Sequence, residues 1–168
     1  MTTIKNNILD AAITILVLIL GYNHFRWSIF IPSIVQIVRY NKIIQTKPKL
    51  FLQTIAFTIF TFVIFGVHHS NFIKLILTSI FFNNTIFLPI LDKCTDLKSI
   101  ISCLISIEKP HLNPSLNKSR LTIISIWLSA FFIALDWKEP WQEWPIPNIY
   151  AVLYAQLIGI SIDIFHKI

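Results

Sequence analysis

Long apolar runs separated by short polar stretches repeat along the whole chain. The run over residues 50–67 has the sequence LFLQTIAFTIFTFVIFGV and carries no charge. A helix of this length extends about 27 Å, close to the thickness of the hydrocarbon core of a bilayer. Only helices and closed barrels satisfy their backbone in lipid, and the strict apolar–polar alternation of a barrel is missing from the sequence. We therefore predict a membrane-spanning helix here.

Further apolar runs predict helices of the same kind. They lie at residues 74–91, 121–135 and 149–165. Residues 8–38 are also apolar, except for GYNHFR near the centre. One long helix there would place Arg26 deep in lipid, at a cost of at least about 2.5–3.5 kcal/mol.

The interpretation that we favour for residues 8–38 is a hairpin of two short helices, 8–21 and 27–38, whose connection faces outward. Each arm is only about 18–21 Å long by the helical rise. It therefore needs a locally thinned bilayer or cover from other helices. A single crossing remains the alternative.

One shorter stretch is predicted to lie at the membrane surface. Residues 100–107, IISCLISI, are too short to cross and predict an interfacial helix on the inner side. The loop that follows, up to residue 120, contains two prolines and is predicted to be irregular. The fold class is therefore an all-α, polytopic integral membrane helix bundle. It has five to six apolar segments with short loops, in a single transmembrane domain over residues 1–168.

Composition agrees with a chain whose solvent is the lipid bilayer. Hydrophobic residues make up 55% of the chain and charged residues 13%, with a mean hydropathy of +0.69. Soluble domains carry about 25% charged residues. This chain has too few charges to cover a soluble surface.

The net charge of +6 comes largely from short loops between the apolar runs. Loops 39–49 and 108–120 are basic, so we expect both to face the cytoplasm, with loop 136–148 on the outer side. This distribution is typical of orientation in a membrane and argues against nucleic-acid binding. The cell (inner) membrane is the expected location.

The outer loop contains three tryptophans at helical spacing. Trp137, Trp141 and Trp144 share one helical face, and the carboxylates of this stretch share the opposite face. We predict an amphipathic helix over 137–144 that lies flat, with its indoles at the headgroup level. The alternative is a platform whose indoles anchor a partner protein.

Polar residues inside the predicted spans are the best candidates for a site. Asn83, Asn84 and Gln156 lie near the centres of their segments and are expected to face the bundle interior. They could bind a neutral or zwitterionic ligand at mid-depth, as transporters do. The alternative is hydrogen bonding between helices, worth about 0.6 kcal/mol per contact.

Histidines give only weak candidates for a metal or haem. Under the hairpin interpretation, His24, His68 and His69 all lie on the outer side, where imidazoles could bind such a group. The adjacent pair diverges by about 100° on a helix. No carboxylate lies near enough in sequence to orient them. We expect no cofactor.

Sequence motifs do not indicate catalysis. The patterns GxSxG, HExxH and SxxK and a glycine-rich phosphate loop are all missing from the sequence. The first hypothesis is a small solute-binding or transport-complex subunit. The alternative is a non-catalytic assembly or scaffold subunit of a larger membrane complex. A second alternative is a haem- or metal-binding membrane enzyme subunit. All three imply other membrane subunits as partners.

Overall fold

Helices make up all the regular structure in the described part of the chain. The computed structural model describes residues 10–16, 18–19, 25–64, 72–106, 114–134 and 144–165. The helices are α1 (residues 10–16 and 18–19), α2 (Phe25–Arg39), α3 (Asn41–Thr46), α4 (Pro48–Ile64), α5 (Phe72–Phe82), α6 (Leu97–Ile105), α7 (Pro114–Ala134) and α8 (Ile146–Phe165). A π-helical turn, Asn83–Phe87, prolongs α5, and a 3₁₀ turn, Leu91–Lys93, follows it. The all-α prediction is confirmed.

Helix length varies among the apolar helices. Within the described ranges, α8 is the one helix that is both long and apolar enough to cross a membrane. Three other apolar helical stretches are shorter: Ile29–Arg39, Pro48–Ile64 and Phe72–Phe87. Five to six crossings therefore stay a prediction.

Helix α7 corrects the prediction that the whole loop before residue 121 is irregular. The helix begins at Pro114 and includes the basic stretch that precedes the apolar run. Proline suits the first turn of a helix, because its φ angle is already helical and its missing N–H is not needed there. The hydropathy pattern does not detect this extension, because charged residues lower its hydropathy. The structure accommodates Lys118 and Arg120 in the helix because both have partners within the protein.

Helix α6 also begins earlier than predicted, at Leu97. Asp96 caps it by accepting a hydrogen bond of 2.6 Å from the Ser99 backbone N–H. The Ser99 hydroxyl oxygen in turn accepts from the Asp96 N–H at 3.2 Å. This reciprocal capping box satisfies two N–H groups that the first turn leaves free.

The chain reverses direction between α1 and α2. Arg39 Nη1, at the end of α2, lies 2.5 Å from Asp10 Oδ2, at the start of the described part of α1. The two ends therefore lie at the same end of the bundle, as the hairpin interpretation requires. The membrane crossing of each arm stays a prediction.

The π-helical turn lies at the centre of the core. All five of its residues are buried, and it packs against α2, α4 and α7. Aromatic rings surround it: Phe57 and Phe87 lie 6.1 Å apart between centroids, and Phe62 and Phe82 lie 5.2 Å apart. Helices α7 and α8 form the most extensive pair beside it.

Large apolar side chains cover much of the outside of the bundle. Phe60 of α4, Ile73 of α5 and Trp127 of α7 are each more than 60% exposed. Exposed apolar surface on this scale marks a protein or membrane interface rather than a surface that faces water. It suits a bundle whose outer face meets lipid.

Candidate functional site

Basic side chains from α2, α7 and the start of α4 tie together one end of the bundle. Arg39 pairs with Asp10, and Lys118 Nζ lies 2.7 Å from Asp163 Oδ2. The Lys118 and Asp163 side chains are 17% and 10% exposed, so the pair is largely withdrawn from solvent. We call this region the basic end; it comprises Arg39, Lys47, Lys118 and Arg120 with their partners.

Lys47 closes the turn that follows the π-helical segment. Its ammonium donates to the backbone carbonyls of Leu91, Asp92 and Cys94, at 2.9, 2.8 and 2.9 Å. An ammonium has three N–H donors, so all of them are used. One side chain thereby joins the start of α4 to the 3₁₀ turn.

Arg120 caps the end of α6 from the neighbouring helix. Its Nε donates to the Leu104 carbonyl at 3.1 Å, and its Nη2 donates to the Cys103 carbonyl at 2.7 Å and to the Ser106 carbonyl. The last carbonyls of a helix lack partners within it and carry partial negative charge. The planar guanidinium therefore suits this position both as a donor and as a cation.

Gly159 allows Lys118 to reach Asp163. A Cβ atom at position 159 would lie 2.8 Å from Lys118 Cγ, closer than side-chain carbons pack. The lysine stem thus crosses α8 over the glycine, one turn before the carboxylate. The glycine has a packing role that sequence inspection did not identify.

We expect Gly159→Ala to lower the free energy of unfolding by about 1–3 kcal/mol, because the added methyl group displaces the inner part of the Lys118 stem. Denaturant titration in mild detergent measures this change. Ser161→Ala, on the exposed face of the same helix, is the matched control and should change little. If Gly159→Ala and Ser161→Ala were equally stable, the Lys118 stem would not need the space that Gly159 leaves beside it.

The two cysteines, Cys94 and Cys103, are free thiols. Burial raises the pKa of the Cys94 thiol, and Cys103 beside it raises that pKa further. A protonated thiol is a poor nucleophile and a poor metal ligand. Among the residues that the structure describes, no group of three or more His, Cys, Asp or Glu side chains could hold a metal. His24, His68 and His69 lie outside those residues.

The predicted site residues separate into two environments. Gln156 Nε2 donates to Thr122 Oγ1 at 2.8 Å, which joins α8 to α7. Asn83 and Asn84 are buried in the π-helical turn, and their amide atoms have no hydrogen-bond partner in the described part of the chain. The structure thus gives Gln156 a contact between helices and leaves the two asparagines available for another role.

Further buried polar atoms share this condition. Besides the asparagine amides, they belong to α2, α5 and the first turn of α8. We call the seven residues the unpartnered polar set: Ser33, Gln36, Thr78, Ser79, Asn83, Asn84 and Asn148. Of these, sequence reasoning identified only Asn83 and Asn84, because serine and threonine in apolar helices usually bond to their own backbone.

The tryptophan stretch is only partly described. Trp144 is half-buried and packs edge-on against Phe62, with ring centroids 5.8 Å apart. Its indole therefore contacts the bundle itself. Trp137 and Trp141 lie outside the described residues, so the amphipathic helix over 137–144 stays a prediction.

Comparison with known proteins finds one family and several relatives. The sequence profile described as "GPI biosynthesis protein family Pig-F" matches residues 2–163. A relative from Eremothecium gossypii, named glycosylphosphatidylinositol anchor biosynthesis protein 11, is 37% identical over 85 residues, which cover 45% of this chain and 38% of the relative. A relative from Mus musculus, named GPI ethanolamine phosphate transferase, stabilizing subunit, is 40% identical over 51 residues, which cover 28% of this chain and 23% of the relative. The aligned stretches thus span less than two fifths of either relative. No solved structure matches the chain.

Proposed function

The chain belongs to the GPI biosynthesis protein family Pig-F, and from that membership we propose that it is a non-catalytic subunit of a membrane complex that makes GPI anchors. The observation that carries the proposal is the family match over residues 2–163. Relatives from mouse and human are named as stabilizing subunits of a GPI ethanolamine phosphate transferase. The proposed partner is therefore such a transferase. The comparisons favour the assembly-subunit alternative over the first hypothesis, a transport subunit.

The arrangement of charged side chains supports a stabilising role. At the basic end, the cations of Arg39, Lys47, Lys118 and Arg120 all contact partners within the chain. Acid–base catalysis needs a titratable group that can reach a substrate. These four side chains instead fix the positions of helix ends, which suits a subunit that stabilises a complex rather than one that catalyses a reaction.

The membrane in which this subunit works follows from the same proposal. Enzymes of GPI biosynthesis reside in the endoplasmic reticulum of eukaryotes. We therefore propose that membrane in place of the cell (inner) membrane expected from the sequence alone. The basic loops 39–49 and 108–120 would face the cytoplasm there.

Helix α7 offers the surface that we expect to meet the partner. Trp127 and Phe131 are 64% and 57% exposed, and their rings contact each other edge-on at 5.5 Å. Tryptophan is enriched among the residues that dominate protein interfaces. Because lipid tails are as apolar as these rings, shape complementarity with partner helices would supply the affinity.

The test is carried out in cells depleted of their own Pig-F family member. We expect loss of this subunit to lower the amount of the ethanolamine phosphate transferase several-fold, because an unpartnered membrane subunit is degraded. Adding back this chain should restore the transferase, and the two should co-purify in mild detergent. Immunoblotting and co-purification measure these outcomes.

A matched pair of variants sharpens the test. Trp127→Ala with Phe131→Ala should reduce co-purification, whereas Phe60→Ala, an exposed ring on α4, should not. An unchanged transferase level after depletion, together with no co-purification, would refute the proposed function.

A further inference from the structure

Four lysines near the basic end differ from the cations described above, because their side chains are exposed. They are Lys42 of α3, Lys49 of α4, Lys93 of the 3₁₀ turn and Lys98 of α6. Within the described part of the chain, no hydrogen bond or ion pair joins any of the four to another residue. We call these four side chains the lysine rim. Their ammonium groups are thus available to a ligand outside the protein.

Contacts between elements bring the lysine rim to one end of the bundle. Lys47 binds two carbonyls of the 3₁₀ turn and one just after it, at 2.8 to 2.9 Å. The start of α4, with Lys49, therefore adjoins the turn that carries Lys93. Helix α6, with Lys98 in its first turn, follows the 3₁₀ turn in the chain and packs against α4, as does α3 with Lys42. The four lysines thus come from three helices and a turn but lie at the same end.

The described carboxylates at this end do not neutralise the lysine rim. Two of the four, Asp10 and Asp163, are already paired with cations of the basic end. The other two, Asp92 and Asp96, are exposed and oppose the four charges of the rim. The ammonium of Lys47 adds a further charge, because it donates to carbonyls, which carry no net charge. The described residues at this end therefore keep an excess of positive charge.

Exposed apolar side chains lie beside the lysine rim. Val38 near the end of α2, Leu52 one turn after Lys49, and Ile105 at the end of α6 are each more than 60% exposed. Apolar side chains so exposed suit the hydrocarbon rather than water. A lysine beside them can keep its stem along the apolar surface and extend its ammonium to the headgroups. The lysine rim therefore lies at the depth of the lipid phosphates.

We propose that the lysine rim binds the headgroups of anionic phospholipids in the bilayer around the bundle. Phosphatidylserine carries a net negative charge that phosphatidylcholine lacks, and each lysine near an anionic leaflet adds to the attraction. Because the basic loop 39–49 is predicted to face the cytoplasm, the lipids concerned are those of the cytoplasmic leaflet. This binding needs no transferase partner and no step of anchor synthesis, so the full chain alone is sufficient to measure it.

Spin-labelled phospholipids measure the preference for an anionic headgroup directly. The full chain is reconstituted in phosphatidylcholine bilayers that contain a trace of spin-labelled phosphatidylserine or spin-labelled phosphatidylcholine. Electron paramagnetic resonance gives the fraction of each label that the protein immobilises. We expect the wild type to bind the serine lipid several-fold more strongly than the choline lipid. Salt at about 1 M, where the screening length is about 3 Å, should remove most of this preference.

Two matched variants replace the whole lysine rim, one with glutamine and one with arginine. The glutamine variant, which removes the charges, carries Lys42→Gln, Lys49→Gln, Lys93→Gln and Lys98→Gln. We expect it to lose the preference for phosphatidylserine, whereas the arginine variant, which keeps the charges, should retain it. Substitutions at exposed positions usually change stability little, so both variants are expected to fold.

Three results would overturn the proposal. They are equal immobilisation of the two labels by the wild type, an unchanged preference in the glutamine variant, and a preference that persists at high salt. The salt titration uses the wild type alone and therefore decides the question even if a variant does not fold. Co-purification of the transferase, measured on separate samples, tests the proposed function independently.

Discussion

Replacing Asp163 with asparagine is expected to lower the free energy of unfolding by about 3–5 kcal/mol, because it leaves the largely buried Lys118 ammonium without a counter-charge. Denaturant titration in mild detergent at neutral pH measures this variant.

The double variant Lys118→Met with Asp163→Leu distinguishes two contributions to stability: the attraction between the two charges, and the cost of leaving one of them unpaired. Apolar replacement of a whole buried pair is often neutral or stabilising. We therefore expect the double variant to lie close to the wild type and well above Asp163→Asn. If Asp163→Asn alone matches the wild type, the pair has no structural role.

Replacing Phe82 with alanine should have an effect of similar size, about 3–5 kcal/mol. This ring is almost completely buried and packs against Phe62 at 5.2 Å and against Phe81 at 5.6 Å. It precedes the π-helical turn on which three other helices pack. Alanine would therefore leave a cavity at the point where the helices converge.

The matched control for Phe82→Ala is Phe60→Ala, which removes the same ring from a side chain that is 63% exposed. In a bilayer, lipid fills the space that this ring leaves, so its loss should change stability by well under 1 kcal/mol. Thermal midpoints recorded in nanodiscs compare the two variants in lipid. Equal losses of stability in the two variants would show that Phe60, like Phe82, lies in a packed environment.

Hydropathy predicts the helices of this chain well because an apolar run must satisfy its backbone internally. It predicts their ends less well. Helix α7 begins at Pro114, seven residues before its apolar run, because Lys118 and Arg120 have partners in the fold. The apolar run by itself does not show that the charged residues before it belong to the same helix.

The candidate site shows a similar limit. In the sequence, Asn84 and Gln156 are equivalent, since each is an amide near the middle of an apolar segment. The structure gives Gln156 a hydroxyl partner across the α7–α8 pair, and Asn84 lies in a π-helical turn without one. Which amide meets a partner depends on how the helices are rotated against each other. That rotation cannot be read from the residues on either side of each amide.

The contacts at the basic end also imply an order in which the protein matures during synthesis. The contact between Arg39 and Asp10 needs only the first two helices, and those of Lys47 can form once residue 94 has left the ribosome. Lys118 must wait for Asp163, which lies 45 residues further along the chain. Until then the Lys118 ammonium lacks the counter-charge that Asp163 supplies. Of these contacts, the Lys118–Asp163 ion pair is therefore the last that can form.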